Sequence, residues 1–104
     1  MSEKTPISGT QADTESRSKT SAPPLYRVLM HNDDFTSMEF VVKVLETIFH
    51  KSPTDANHIM LNIHFKGLGL CGVYPFEIAE TKIDRVHTMA RAEGFPLRCS
   101  MEPA

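Results

Sequence analysis

At 104 residues, 40% of them hydrophobic and with a formal net charge of −2, the chain has room for one domain with an ordinary globular core. Nearly balanced charge excludes the clustered basic stripe that nucleic acids require. No apolar run approaches the roughly 20 residues of a membrane span, and Met1 to Ala22 lacks a signal-peptide core, so no membrane partner and a cytoplasmic location are expected.

Residues 1–22 are rich in Ser, Thr, Glu, Lys and Gln, with Ile7 the one large aliphatic residue past Met1. Such a segment buries too little surface to offset its ordering entropy. The sequence thus predicts a flexible extension over 1–23 and a domain over 24–104, with Pro23-Pro24 at the boundary. Leu25 to His31 is apolar and bounded by Pro-Pro and Asn-Asp-Asp, the pattern of a strand. Thr36 and Glu39 have the spacing of a capping box. After them Met38, Val41, Val42, Leu45, Ile48 and Phe49 recur at helical spacing, which predicts an amphipathic helix to about His50.

Ser52-Pro53 opens a second helix, with Ser as N-cap, Pro at the first position and Asp55 in the first turn. Its apolar face is Ala56, Ile59, Met60 and Ile63, and it stops before Gly67. Leu68 to Tyr74 reads as a strand interrupted by glycine. Pro75 starts a third helix with Phe76, Ala79, Ile83, Val86 and Ala90 inside, closed by Gly94. Leu97, Cys99 and Met101 alternate with polar neighbours as a last, half-exposed strand. The order β-α-α-β-α-β predicts a two-layer α+β domain, a three-stranded antiparallel sheet packed against three helices.

Cys71 and Cys99 fit no metal-binding or redox spacing and read as small buried hydrophobes. Asn32-Asp33-Asp34 stands out as three short polar residues between an apolar strand and a helix N-terminus. It reads as a turn, as an acidic site for a divalent metal with His64 alongside, or as an acidic site for an organic cation. No nucleophile-base pair, phosphate loop or His-Glu helix motif accompanies it. No catalytic residue, cofactor or resident metal is therefore expected.

The segments LYRVLMHNDDFTSMEFVVKVLETIF, IMLNIHFKG, CGVYPFEIAETK and PLRCSMEP together resemble the ClpS family over about residues 24–104. That family comprises adaptors that hand substrates with destabilising N-terminal residues (N-degrons) to a Clp AAA+ unfoldase of the ClpA type. The resemblance implies a non-enzymatic monomer that binds a free N-terminal Leu, Phe, Tyr or Trp. It implies that Asn32, Asp33 and His64 engage the α-amino group, Asp33 through water, with Asp34 and Thr36 at the pocket mouth. Met38, Val41, Met60, Ile63 and Leu97 would line the side-chain pocket. Glu77, Glu80 and Lys82 would dock the unfoldase, and residues 1–22 would serve as the extension engaged at handover. The alternative is a specialised paralogue that regulates the unfoldase or reads different N-terminal residues.

The chain departs from the family pattern at three places. Ser37 stands where Pro is usual, Gly94-Phe95 replaces a more polar stretch, and Ile63 stands where Val is common. One added methylene in an apolar pocket changes discrimination by roughly 1–3 kcal/mol. Among N-terminal Leu, Phe, Tyr and Trp peptides, Trp should therefore bind worst, and Ile63→Val should recover it selectively. Identical affinity profiles for the two proteins would remove Ile63 as a specificity determinant.

Overall fold

Alternation within the first strand sets the sides of the sheet. Val28 and Met30 are fully buried whereas Leu25 and Arg27 are exposed, as in a sheet with one packed and one solvated face. The computed structural model describes residues 22–104, so the extension expected over residues 1–23 lies, up to residue 21, outside the described residues. The elements are β1 (Leu25–His31), α1 (Met38–Thr47), α2 (Pro53–Lys66), β2 (Leu68–Pro75), α3 (Phe76–Glu93) and β3 (Arg98–Pro103). This is the α+β order read from the sequence. The strand order is β2-β1-β3, with both pairs antiparallel. β1 is central, and its end at His31 opens directly into the acidic turn.

The start of α1 differs from expectation by one residue. Ser37, not Thr36, is the N-cap, its Oγ accepting from the Phe40 N–H at 3.1 Å. The Thr36 hydroxyl and backbone N–H instead both donate to Asp33. The expected capping box is therefore replaced by a serine cap. The helix also ends earlier than His50, at Thr47. His50 takes φ 56°, and the Lys82 Nζ donates to the Ile48 carbonyl at 2.8 Å.

The core-facing stripe of α1 is rotated relative to the predicted one. Phe40, Val41, Val44 and Leu45 are buried, whereas Met38 is 45% exposed and Val42 half-buried. The run Met-Glu-Phe-Val-Val carries two overlapping apolar stripes. The core takes Phe40 and Val44, leaving Met38 and Val42 on the side towards α2. Packing against the sheet settles what periodicity alone left open.

α2 begins as expected, with Ser52 Oγ accepting from the Asp55 N–H at 3.1 Å, and ends on Gly67 at φ 91°. That left-handed cap suits glycine, which has no Cβ to clash there. α2 lies close against β2: a Cβ at Gly69 would stand 2.8 Å from Ile63 Cγ1. α3 buries Ala79, Ile83, Val86 and Ala90 and closes on Gly94 as expected, but Phe76, expected inside, is exposed at the first position of the helix. β3 runs two residues beyond the expected Met101, and Leu97 precedes it. Cys71 and Cys99 are both free and buried. The neighbouring Cys71 thiol, and burial, push the Cys99 thiol far up, which keeps it protonated and inert.

Candidate functional site

The segment between β1 and α1 is held by one carboxylate. Asp33 Oδ1 accepts the backbone N–H of Phe35 at 2.8 Å and of Thr36 at 2.7 Å, and Oδ2 accepts the Thr36 hydroxyl at 2.7 Å. A carboxylate offers about four acceptor sites, so roughly one remains free. Partial burial pulls the Asp33 acid upwards, but its three hydrogen bonds outweigh this and leave it below its ordinary value. The same turn is tied to α2. The Asn32 N–H donates to the Gly67 carbonyl at 2.9 Å, and the Gly67 N–H donates to Ile63 at 2.9 Å. Asn32 is thereby fixed at the C-terminal end of α2, one helical turn from His64.

These two ties enclose a cleft of about 400 Å³ between the turn, α1 and α2. It lies in the lower part of the range for small-ligand sites, about 300–1,000 Å³. Its polar rim is Asn32, Asp33, Asp34, Thr36 and His64, and its apolar wall is Met38, Val41, Met60 and Ile63. Nine residues expected at the amine site, mouth and pocket therefore meet in one place. Among the described residues, the side chains of Asn32 and Asp34 make no hydrogen bond within the protein, so their oxygens are unpaired acceptors in the cleft lining. The exposed His64 ring stands edge-on to Phe65, with centroids 4.9 Å apart.

Other expected residues lie elsewhere. Leu97, 4% exposed and in the core, is not among the residues that line the cleft. Glu77 and Glu80 are exposed on α3, away from the cleft. Lys82 is not a simple solvated residue. It is half-buried, caps the Ile48 carbonyl and lies over the Phe49 and Tyr74 rings at 5.9 and 5.2 Å. Burial, and then Arg85, hold its ammonium below the usual lysine value. Two residues of the cleft escaped the sequence reading, Phe35 and Ser37. Phe35 carried a usable signal, since it is a large aromatic in an acidic turn with no core to enter, and it is 78% exposed. Gly67 was read only as a helix stop, because its bond to Asn32 depends on strand placement.

An acceptor-rich rim above an apolar wall suits a ligand with a cationic head and a hydrophobic body. Among the described residues no group of three or more His, Cys, Asp or Glu side chains is placed to hold a metal ion. Asp33 and Asp34 do not converge with His64 into such a group. Among the same residues, no helix is long and apolar enough to cross a membrane.

Comparison with known proteins gives the chain relatives in both sequence and fold. The family profile described as ATP-dependent Clp protease adaptor protein ClpS matches residues 21–100. The chain is 59% identical over 90 residues to the ATP-dependent Clp protease adapter protein ClpS of Desulfatibacillum aliphaticivorans, covering 86% of each chain. It is 59% identical over 91 residues to that of Oleidesulfovibrio alaskensis, covering 88% of each. Agrobacterium tumefaciens ClpS2, solved bound to L-phenylalaninamide, superposes with a TM-score of 0.77 at 36% identity. The match covers 80% of this chain and all of that one.

Because Asp33 holds the turn as an anion, removing its carboxylate should cost about 1–2 kcal/mol, the scale of a lost capping side chain. Its folded-state pKa is depressed, so its contribution is complete above the unfolded value of 3.8 and is lost as pH falls through the folded value. Urea denaturation of wild type and Asp33→Ala should show that gap at pH 7 and a smaller one at pH 3. A gap of equal size at both pH values would contradict the assignment.

Proposed function

The chain belongs to the ClpS family of adaptor proteins of the ATP-dependent Clp protease, and from that premise we propose that its cleft captures the free N-terminal residue of substrate proteins. The observation that carries this reading is the convergence of unpaired acceptors and apolar side chains on one cavity. A free α-amino group has an unperturbed pKa of about 7.7–8.0 and is mostly cationic near neutral pH. Its three protons find the Asn32 carbonyl oxygen, a lone pair on the His64 ring and, through water, the remaining acceptor site of Asp33. Asp34 and Thr36 shape the entrance. The side chain of the first residue then lies against Met38, Val41, Met60 and Ile63.

Magnitudes are consistent with a working adaptor. Hydrogen bonds to a charged group contribute roughly 1.5–3 kcal/mol each, and burying a Leu or Phe side chain contributes a similar amount. Association and ordering take back several kcal/mol. At the favourable end of these ranges the net free energy reaches about −8 kcal/mol, or micromolar affinity. That is tight enough to collect substrate and loose enough to release it. L-Phenylalaninamide, the ligand of the Agrobacterium relative, pairs a free α-amine with an aromatic side chain. This ligand supports Leu, Phe, Tyr and Trp as the class of first residue read here.

The second task, presenting the captured chain to a ClpA-like unfoldase, falls to the far side of the domain. Exposed Glu77 sits in a groove of about 410 Å³ whose apolar members include Pro23, Tyr26, Phe76 and Ile78. Phe76 and Ile78 are 46% and 48% exposed. An exposed apolar patch with Glu77 in its lining suits protein docking, with Glu80 exposed on the same helix, and it leaves the cleft open. Lys82 supports it indirectly, by fixing the end of α1 against α3. In this reading a single copy of the adaptor holds substrate and unfoldase at once, and performs no catalysis itself.

The α-amine is the testable element. A fluorescent peptide beginning with Phe should bind with micromolar affinity, and its N-acetylated twin should lose at least tenfold. Asn32→Ala should weaken the free-amine peptide about 10-fold or more, the loss of one charge-assisted bond, without lowering the denaturation midpoint. Equal binding of the two peptides would rule out amine recognition.

A further inference from the structure

Beyond the cleft, the groove between α1 and α2 continues into a second depression of about 330 Å³. It shares Met38 and Met60 with the cleft and adds Val42, Glu39 and Asn57. Met38 and Met60 thus form a saddle with a cavity on either side. Its floor is apolar and its rim carries two acceptors. Among the described residues, the Glu39 carboxylate has no ion pair or hydrogen bond. Asn57 Nδ2 donates to the Pro53 carbonyl at 2.8 Å, which leaves its Oδ1 as the free end of the amide. Both residues are exposed.

We propose that this second groove is a subsite for the third residue of the substrate, and that it favours lysine or arginine there. The inference rests on the first residue occupying the cleft as described above. In an extended chain successive side chains alternate, so residues one and three point the same way, about 6.6–7 Å apart. The two cavities are offset along α2, from Ile63 and His64 to Met60 and Asn57, by a mean of about five residues, or roughly 7.5 Å. The first side chain in the cleft therefore brings the third, and not the second, over the groove. A long aliphatic stem lies along Met38, Val42 and Met60, as such stems do on apolar surface. The cationic head reaches the Glu39 carboxylate and Asn57 Oδ1. An acidic third residue meets the same two acceptors and is repelled. The adaptor then reads a two-point pattern, a bulky apolar residue first and a basic residue third.

The test uses the full chain and peptides that begin with Phe, carrying Ala, Lys or Glu at position two, three or four. Lys at position three should bind about fivefold more tightly than Ala, with little gain at positions two and four. Glu39→Gln should reduce that gain to less than twofold while leaving the all-Ala peptide unchanged. Glu39→Lys should reverse the order of the Lys and Glu peptides at position three. An equal gain from Lys at all three positions, or a gain that survives Glu39→Gln, would overturn the subsite and indicate only long-range attraction. The N-acetylated all-Ala peptide separates the two levels. If it binds as well as the free peptide, the reading of the cleft fails; if it does not and position three is silent, only the subsite fails.

Discussion

The Asp33 carboxylate gathers two backbone N–H groups and a hydroxyl, and the shape of the site depends on that gathering. Without it, residues 32–36 would be a polar connection between β1 and α1 with no reason to keep one conformation. With it, Thr36 is drawn away from the helix and α1 starts at Met38 under a Ser37 cap. Met38 is then the first helical residue, at the edge of the cleft and not over the sheet. The Asn32–Gly67 bond supplies the second fixed point by joining the turn to the end of α2. One acidic side chain and one left-handed glycine therefore set the spacing between the polar rim and the apolar wall.

A three-stranded sheet covered on one side gives a domain of this size little material to spare for a cavity. The cleft exists because α1 and α2 give their best apolar residues to the core and leave a strip of Met38, Val42 and Met60 between them. Methionine suits that strip, since an unbranched thioether adapts to varied apolar shapes. Gly69 contributes from below by letting Ile63 approach β2 directly. The arrangement explains how a cleft with both polar and apolar lining is built without any buried polar side chain among the described residues.

Much of this is legible in the sequence. The capped start at Ser52-Pro53, the glycine stops at Gly67 and Gly94, and the bounded apolar run of Leu25–His31 are local signals with local causes, and the structure has each of them. It also has Cys71 and Cys99 buried and unpaired. The start of α1 was misread because Thr36 and Ser37 are equally good caps, and the choice was made by Asp33, three residues upstream. The stripe of α1 was misread because Val41-Val42 serves two faces, and tertiary packing decided between them. Leu97, expected at the wall, is not in the cleft lining, whereas Phe35 is, and turn residues are not usually judged by size. Which residues meet across the cleft followed from family resemblance, since no spacing in the chain reveals that Asn32 lies beside the end of α2.

The account stands on the cleft as the place where a free amine and an apolar side chain are read together. Titrating the ¹⁵N-labelled protein with L-phenylalaninamide and following backbone amide shifts tests this most directly. The account predicts the largest shifts at Asn32–Met38 and Met60–His64, little change on α3 around Glu77 and Glu80, and no comparable response to N-acetyl-L-phenylalaninamide. Shifts centred on α3, or the same pattern with the acetylated compound, would contradict it.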